Sequence, residues 1–299
     1  MSEYIEGNSM ENIKNNKLKN LKNDNNVEFA KNLMKTFESA YESIDEFDKN
    51  LSKILEAHPN HPMANFFKGC IQALHGDFEK SLEFFNRGLK ISDGNPIVKF
   101  ARAIAKLHLN KPEECLKDLE DVVKANPKFA FAYGFIGGVF EDLGKYEDAL
   151  KAYKKMVEIA PSPYANYKIA SLLHKLGKHE EALHYLDGAL KVGPRFIPAL
   201  ILKAEILLSL DKISKALLTI KKALDIRPDN PRALFLLGLI HLRIGEFDEA
   251  IEAFDKVLEK DCNCILAILG KAIAYERKGL MKKAIELYNR VFNYYDKGK

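Results

Sequence analysis

A regular spacing of glycine, asparagine and aspartate constrains this 299-residue chain more than any other feature. Seven such residues are separated by 34, 34, 33, 34, 34 and 34 positions: Gly76, Asn110, Gly144, Gly177, Asp211, Gly245 and Gly279. These residue types best tolerate the left-handed backbone in which many helices end. The spacing therefore predicts a helix that ends at each position, within a unit that recurs seven times.

Two further columns keep the same period and contain only small residues. Seven residues before each helix end lie Gly69, Ala103, Gly137, Ala170, Ala204, Gly238 and Ala272, and five residues after it lie Ser81, Cys115, Ala149, Ala182, Ala216, Ala250 and Ala284. Four residues further on, a large apolar residue recurs: Phe85, Leu119, Tyr153, Leu186, Ile220, Phe254 and Tyr288. Small side chains let two helices approach closely. Each unit is therefore predicted to be a helix, a tight turn and a second helix.

The unit from Ala130 to Pro161 resembles a tetratricopeptide repeat (TPR). The residues at the family's signature positions are Tyr133, Ile136, Gly137, Phe140, Gly144, Tyr146, Ala149, Tyr153 and Pro161. The resemblance implies an all-α fold, a right-handed superhelical α-solenoid of tandem helix-turn-helix repeats. The chain has no Trp, and four cations occupy a position that the family usually makes apolar: Lys68, Arg102, Lys203 and Lys271.

Nine segments follow from the period and the composition. Residues 1–26 include eight Asn and few apolar residues, so we expect a disordered Asn/Lys-rich tail. Residues 27–61 are expected to form a degenerate helical repeat. The seven TPR units are assigned to residues 62–95, 96–129, 130–162, 163–196, 197–230, 231–264 and 265–299.

The first helices are apolar nearly all round, whereas the second helices carry one polar face. The resemblance implies that the first helices line the concave side of the superhelix. The predicted groove residues are Phe66, Phe100, Ile104, Phe131, Tyr164, Tyr167, Ile201, Phe235, Leu239, Leu269 and Ile273. An exposed apolar strip of that extent is typical of a binding surface. The alternative is that a tightly wound superhelix buries the strip against itself.

The predicted function is therefore a non-catalytic protein-binding scaffold whose partner is a protein or peptide segment. A second hypothesis is self-assembly, or a scaffold subunit of an enzyme complex, docking through an uncapped C-terminal repeat. That repeat ends at Val291, Phe292, Tyr294 and Tyr295 without a polar capping helix. A homo-oligomer is thus the second partner class.

Other classes of function receive little support from the sequence. A net charge of +4 and few arginines make nucleic acid an improbable partner. The Cys262/Cys264 pair has no second pair nearby, and His179 and His184 lie five residues apart where a zinc-binding helix needs four. We therefore expect no metal, no cofactor and no catalytic residues. With no signal peptide and no long apolar stretch, the expected location is the cytoplasm, without membrane binding.

Overall fold

The computed structural model describes residues 44–91 and 94–296, with side chains described up to Tyr294. The predicted tail at residues 1–26 lies outside the described residues. So does the first part of the degenerate repeat predicted at residues 27–61, and so do the last three residues of the chain.

The described residues form fifteen α-helices and no β-strand. The helix α1 (Ile44–Ala57) precedes seven helix pairs. The pairs are α2 (Pro62–Leu74) and α3 (Phe78–Ile91), α4 (Pro96–His108) and α5 (Pro112–Ala125), α6 (Ala130–Asp142) and α7 (Tyr146–Ile159), α8 (Pro163–Lys175) and α9 (His179–Val192), α10 (Ile197–Ser209) and α11 (Ile213–Ile226), α12 (Pro231–Ile244) and α13 (Phe247–Lys260), and α14 (Ile265–Arg277) and α15 (Met281–Asp296). The all-α fold of tandem helix pairs is thus confirmed.

The turn within each pair has the backbone that the period predicts. Asn110 and Asp211 adopt a φ of 56°, and the glycines at the other five positions have φ values between 70° and 83°. The left-handed conformation costs an ordinary L-residue about 1 kcal/mol, and glycine, asparagine and aspartate tolerate it best. The predicted helix ends are confirmed at all seven positions.

A small residue on the first helix faces a large ring on the second helix in three of the pairs. A Cβ atom on Gly69 would lie 2.5 Å from the Phe85 ring, and one on Gly137 would lie 2.7 Å from the Tyr153 ring. Phe254 is fully buried between two glycines, Gly238 of its own pair and Gly270 of the next. The glycines are therefore required by packing, because any side chain there would overlap a ring.

The chain divides into two compact units, with the boundary between Pro127 and Lys128. In the first unit, α3 contacts both α2 and α4, and its core includes Phe85, Leu89 and Val98. In the second unit, each second helix contacts the first helix of the next pair, and the first helices α8, α10, α12 and α14 contact one another in order. These four first helices therefore lie side by side.

The four cations that depart from the family pattern each form an ion pair with a neighbouring helix. Lys68 reaches Asp48 at 2.6 Å, and Arg102 makes a two-pronged contact with the buried Asp118. Lys203 pairs with Asp187, and Lys271 pairs with Asp255 at 2.5 Å. A half-buried cation that is paired avoids most of the cost of losing water. This pairing explains how a charge fits at a position that is usually apolar.

Two adjacent glycines give a matched test of the packing. Replacing Gly137 by Ala forces the new methyl group onto the Tyr153 ring, so we expect a loss of about 1–3 kcal/mol in the free energy of unfolding. Replacing Gly138 by Ala meets only the Tyr153 hydroxyl at 3.8 Å, so helix propensity should add about 0.5–1 kcal/mol. Urea unfolding followed by circular dichroism measures both. A Gly137→Ala protein as stable as Gly138→Ala would contradict the contact.

Candidate functional site

The candidate site is the surface formed by the second, fifth and ninth residues of α6, α8, α10, α12 and α14, here called the first-helix face. Phe131 is 67% exposed and Tyr164 is 51% exposed, and Ile273 is exposed as well. Tyr167, Phe235, Leu239 and Leu269 are half-buried. Exposure is therefore greatest at second positions, where Phe131 and Tyr164 lie on two successive first helices and Leu266 of α14 is 62% exposed.

The prediction that Ile201 is a groove residue is wrong. It is only 5% exposed, in a core cluster with Leu200, Ala204 and Leu236. The α10 helix buries apolar side chains on most of its circumference, so its fifth position is part of the core. Ile201 is not available to a ligand.

The half-buried rings of the face also serve the core. The Tyr167 ring meets the Phe196 ring edge-on at 5.8 Å between centroids, and the Phe235 ring lies 5.8 Å from the buried Phe254 ring. Self-burial, the alternative considered for the strip, thus accounts for part of these side chains. These rings pack against other rings of the chain, whereas Phe131 and Tyr164 keep most of their area in solvent.

The groove residues predicted in the first unit are less exposed than Phe131 and Tyr164. Phe66, Phe100 and Ile104 are all half-buried. The Phe66 ring lies 5.2 Å from the Phe67 ring and 6.1 Å from the Phe85 ring, so it is part of the aromatic core of that unit. The most exposed large apolar side chains on the first helices there are Leu74, at the end of α2, and Ile97, at the second position of α4.

The α6 helix has no side chains at two positions of the first-helix face. Gly134 and Gly138 occupy its fifth and ninth positions. The atom nearest to a Cβ on Gly138 is the Tyr153 hydroxyl at 3.8 Å, so packing inside the chain does not require glycine there. The α6 helix therefore has no side chain at these two positions, and Met156 of α7 lies against Gly134, 3.1 Å from where a Cβ would be.

Glu141 is the centre of a charged cluster at the edge of this face. Its carboxylate accepts hydrogen bonds from Lys168 at 2.6 Å, from Lys175 at 2.8 Å and from the Tyr153 hydroxyl at 3.3 Å. Burial by itself would raise the pKa of Glu141, but the two lysines outweigh it and the pKa is lowered. Burial, with the Glu141 charge second, raises the pKa of Tyr153. The carboxylate is therefore ionised and its charge is already matched.

Two other carboxylates on or beside the face are also occupied. Glu205 pairs with Arg232 at 3.3 Å, and the Tyr288 hydroxyl donates to Glu276 at 2.6 Å. The Glu205 charge is thus matched by a cation, and Glu276 has a hydrogen-bond donor within the chain. What remains to offer a ligand at this part of the face is mainly aromatic and aliphatic surface.

The α15 helix exposes apolar residues that the equivalent helix α13 covers. Ile251 and Leu258 of α13 are half-buried, because α14 packs against α13. Their counterparts one repeat later, Ile285 and Phe292, are 49% and 71% exposed. Within the residues that the structure describes, α14 is the helix that packs closely on α15.

The cysteines of the described helices and turns are all free thiols. Burial raises the pKa of Cys70 and of Cys115 to about 11, so both are protonated and unreactive at neutral pH. No group of three or more His, Cys, Asp or Glu side chains within the described residues is placed to hold a metal ion. None of the helices described for residues 44–296 has the length and apolar character needed to cross a bilayer.

The repeat pattern matches a known family over most of its length. The sequence profile described as "Tetratricopeptide repeat" matches residues 49–96, 100–165 and 201–262, together more than half of the chain. The chain belongs to the tetratricopeptide repeat family. A second profile, for subunit 3 of the anaphase-promoting complex, matches residues 142–223.

Individual relatives agree with the family but cover only parts of the chain. The small glutamine-rich tetratricopeptide repeat-containing protein 2 of Mycosarcoma maydis is 28% identical over 86 residues, which are 29% of this chain and 24% of that protein. The chain spans a quarter or less of the length of such relatives.

Solved structures of other TPR proteins share the fold. The pilus biogenesis factor PilW superposes with a TM-score of 0.60 at 19% identity, over 67% of this chain and 94% of PilW. The TPR protein YrrB gives a TM-score of 0.52 at 19% identity, over 62% of this chain and 95% of YrrB. These likenesses support the fold.

The Glu141 cluster predicts a pH-dependent contribution to stability. The folded pKa of Glu141 is below 4.5, so its stabilisation is present above pH 4.5 and is lost as the pH falls through the folded value. We expect Glu141→Gln to lower the free energy of unfolding by about 1 kcal/mol at pH 7, because two lysines lose their charged acceptor. In urea unfolding, the stability difference between Glu141→Gln and the wild type should be smaller at pH 4 than at pH 7. Glu147→Gln, on the exposed side of α7, is the control and should cost only about 0.3 kcal/mol, because Glu147 interacts with the helix N-terminus and with Lys151. A deficit of equal size at both pH values would contradict the assignment.

Proposed function

We propose that this TPR protein is a non-catalytic scaffold whose first-helix face in the second unit binds a segment of another protein. The observation that carries the proposal is the exposure of Phe131 and Tyr164 at equivalent positions of successive first helices. Large aromatic rings are seldom left in solvent without a use, and they give much contact area at low side-chain entropy cost. The cytoplasmic location that we expect from the sequence stays a prediction.

The charges around the face favour an apolar segment over an acidic one. Glu141 is matched by Lys168 and Lys175, and Glu205 by Arg232. A partner carboxylate would have to compete for lysines that already have an acceptor. An uncharged segment with aromatic or aliphatic side chains needs no such exchange. Its binding should therefore depend little on salt.

The lack of side chains at Gly134 and Gly138 supports the same surface. Each glycine lowers the helix propensity of α6 by about 1 kcal/mol relative to alanine, and at Gly138 no packing inside the chain requires it. A large side chain of a bound segment would fit beside Phe131 over this part of α6. YrrB, a TPR protein with an unusual peptide-binding site, indicates that the shared fold is able to hold a peptide.

Micromolar affinity is the expected range, corresponding to about −8 kcal/mol. Two exposed aromatic anchors and a wall of half-buried apolar side chains make a small interface. Ordering a flexible segment also offsets part of the gain. The rings should act as the hot spots of the interface, with the half-buried residues excluding water around them.

A random 12-residue peptide display library is a defined probe for this surface. We expect selection on the wild-type chain to enrich peptides that are rich in aromatic and aliphatic residues and poor in Asp and Glu. In fluorescence anisotropy, Phe131→Ala/Tyr164→Ala should weaken the enriched peptides about 10-fold or more, because two anchors each contribute 1 kcal/mol or more. Leu218→Ala is the matched control, since Leu218 is equally exposed but lies on the second helix α11. Equal affinity of the double variant and the wild type for the enriched peptides would contradict the proposal.

A second candidate function is self-assembly through α15. The comparison of α13 with α15 favours it, because Ile285 and Phe292 occupy positions that the chain covers one repeat earlier. The occupant would be the same face of a second copy, and a self-complementary face gives a closed dimer.

Light scattering at increasing protein concentration tests this candidate. We expect a wild-type dimer that Ile285→Glu converts to monomer, because a buried unpaired carboxylate is costly. Glu286→Gln, on the neighbouring polar side of α15, should leave the dimer intact. A wild-type chain that stays monomeric at high concentration would remove the candidate, and the peptide-binding proposal does not depend on it.

A further inference from the structure

Two histidines face each other across the turn between α8 and α9. The Nδ1 atoms of His174 and His179 lie 3.1 Å apart, and the ring centroids are 5.0 Å apart. His174 belongs to the last turn of α8 and His179 is the first residue of α9. The partner of His179 is His174 and not His184, the residue with which the sequence spacing paired it. The tight turn folds His179 back onto the preceding helix.

The backbone of the turn holds the two rings in place. Gly177 adopts a φ of +75°, and the Lys178 N–H donates to the Leu173 carbonyl at 2.8 Å. The His179 N–H donates to the Gly177 carbonyl at 3.0 Å. Both histidines thus sit on helices joined by a fixed turn, so bringing their nitrogens together costs little further entropy.

This pair of residues departs from the other six repeats at two positions that touch. The residues equivalent to His174 are Ala73, Leu107, Glu141, Leu208, Leu242 and Glu276, and those equivalent to His179 are Phe78, Pro112, Tyr146, Ile213, Phe247 and Met281. The other repeats therefore close this turn without imidazole at either position. Departures from a local rule are expected at functional sites.

We propose that His174 and His179 bind a late first-row divalent ion, Ni²⁺, Cu²⁺ or Zn²⁺, through their Nδ1 atoms. Metal–nitrogen bonds to histidine are about 2.0–2.1 Å long. Two such bonds that span 3.1 Å enclose an angle of about 100° at the metal. That angle lies between the square-planar and tetrahedral values, which these ions adopt.

Protonation and charge at the site are compatible with metal binding. The neutral imidazole is the form that binds metals, and two Nδ1 atoms at 3.1 Å require that at least one of them has no proton. Without metal, one Nδ1–H donates to the other Nδ1. When a metal enters, that proton moves to Nε2 of the same ring through solvent, and both Nδ1 lone pairs face the ion.

The remaining coordination positions are open. Within the residues that the structure describes, no third His, Cys, Asp or Glu completes a three-ligand group with the pair. Water would fill those positions, and they are free to take a donor atom from a bound molecule. Two imidazoles without a third protein ligand give the order Cu²⁺ above Ni²⁺ and Zn²⁺ in affinity.

Calorimetric titration of the untagged full chain with CuCl₂, NiCl₂ and ZnCl₂ tests the site. The titrations use a Cys262→Ser/Cys264→Ser background so that thiols do not compete. His174→Leu and His179→Tyr should each weaken binding about 10-fold or more, whereas His184→Ala should bind as the background does. Leu and Tyr are the residues of other repeats at these positions, Leu208 and Tyr146, so the variants keep a side chain that the turn accommodates.

The expected result is one equivalent of Cu²⁺ per chain, with nitrogen hyperfine splitting in the electron paramagnetic resonance spectrum that His174→Leu and His179→Tyr lose. Far-UV circular dichroism confirms that both variants are folded. Background protein that takes up no metal below about 1 mM, a range weaker than about −4 kcal/mol, would overturn the proposal. So would binding that His184→Ala reduces as much as His174→Leu does.

Discussion

The contact between a small residue on one helix and a large ring on the next is the constraint on which the rest of the structure depends. Gly137 against Tyr153 shows it plainly, since even one methyl group on Gly137 would enter the ring. Close approach of the two helices lets the ring fill the space beside the glycine and removes it from water, which stabilises the pair by roughly 2–3 kcal/mol per buried ring. The left-handed turn between the helices makes that approach possible, and the 34-residue period repeats both features together.

This way of closing each pair also decides which side chains stay on the surface. Rings that close a pair, such as Phe85 and Phe254, point inward and are fully buried. The fifth positions of the first helices lie beside those rings, and they are drawn halfway into the core, as Phe235 is against Phe254. The second positions lie about one turn earlier on the helix and do not pack beside those rings. Phe131 and Tyr164 therefore remain available to a partner, in a part of the protein where the neighbouring charges are already matched.

Much of the fold could be read from the sequence because its causes are local and periodic. The helix ends followed from Gly, Asn and Asp at one slot, and the helix contacts followed from the columns of small residues. The candidate site was harder to predict because exposure depends on how far a side chain reaches under its neighbours. Ile201 and Phe131 occupy slots that the pattern treats alike, yet one is core and the other is surface. The ion pairs of Arg102 and Lys271 and the meeting of His174 with His179 depend on side-chain directions across a turn or between helices, which residue spacing does not specify.

The position of Phe254 between Gly238 and Gly270 has a consequence for how the array comes apart. The Phe254 ring packs against glycines of both α12 and α14, and the surrounding cluster contains residues of α12, α13 and α14. If α14 detaches, the sixth repeat loses one side of its largest buried ring at the same moment. We therefore expect loss of α14 to loosen α12 as well, so that amide protons of the two helices exchange as one cooperative unit.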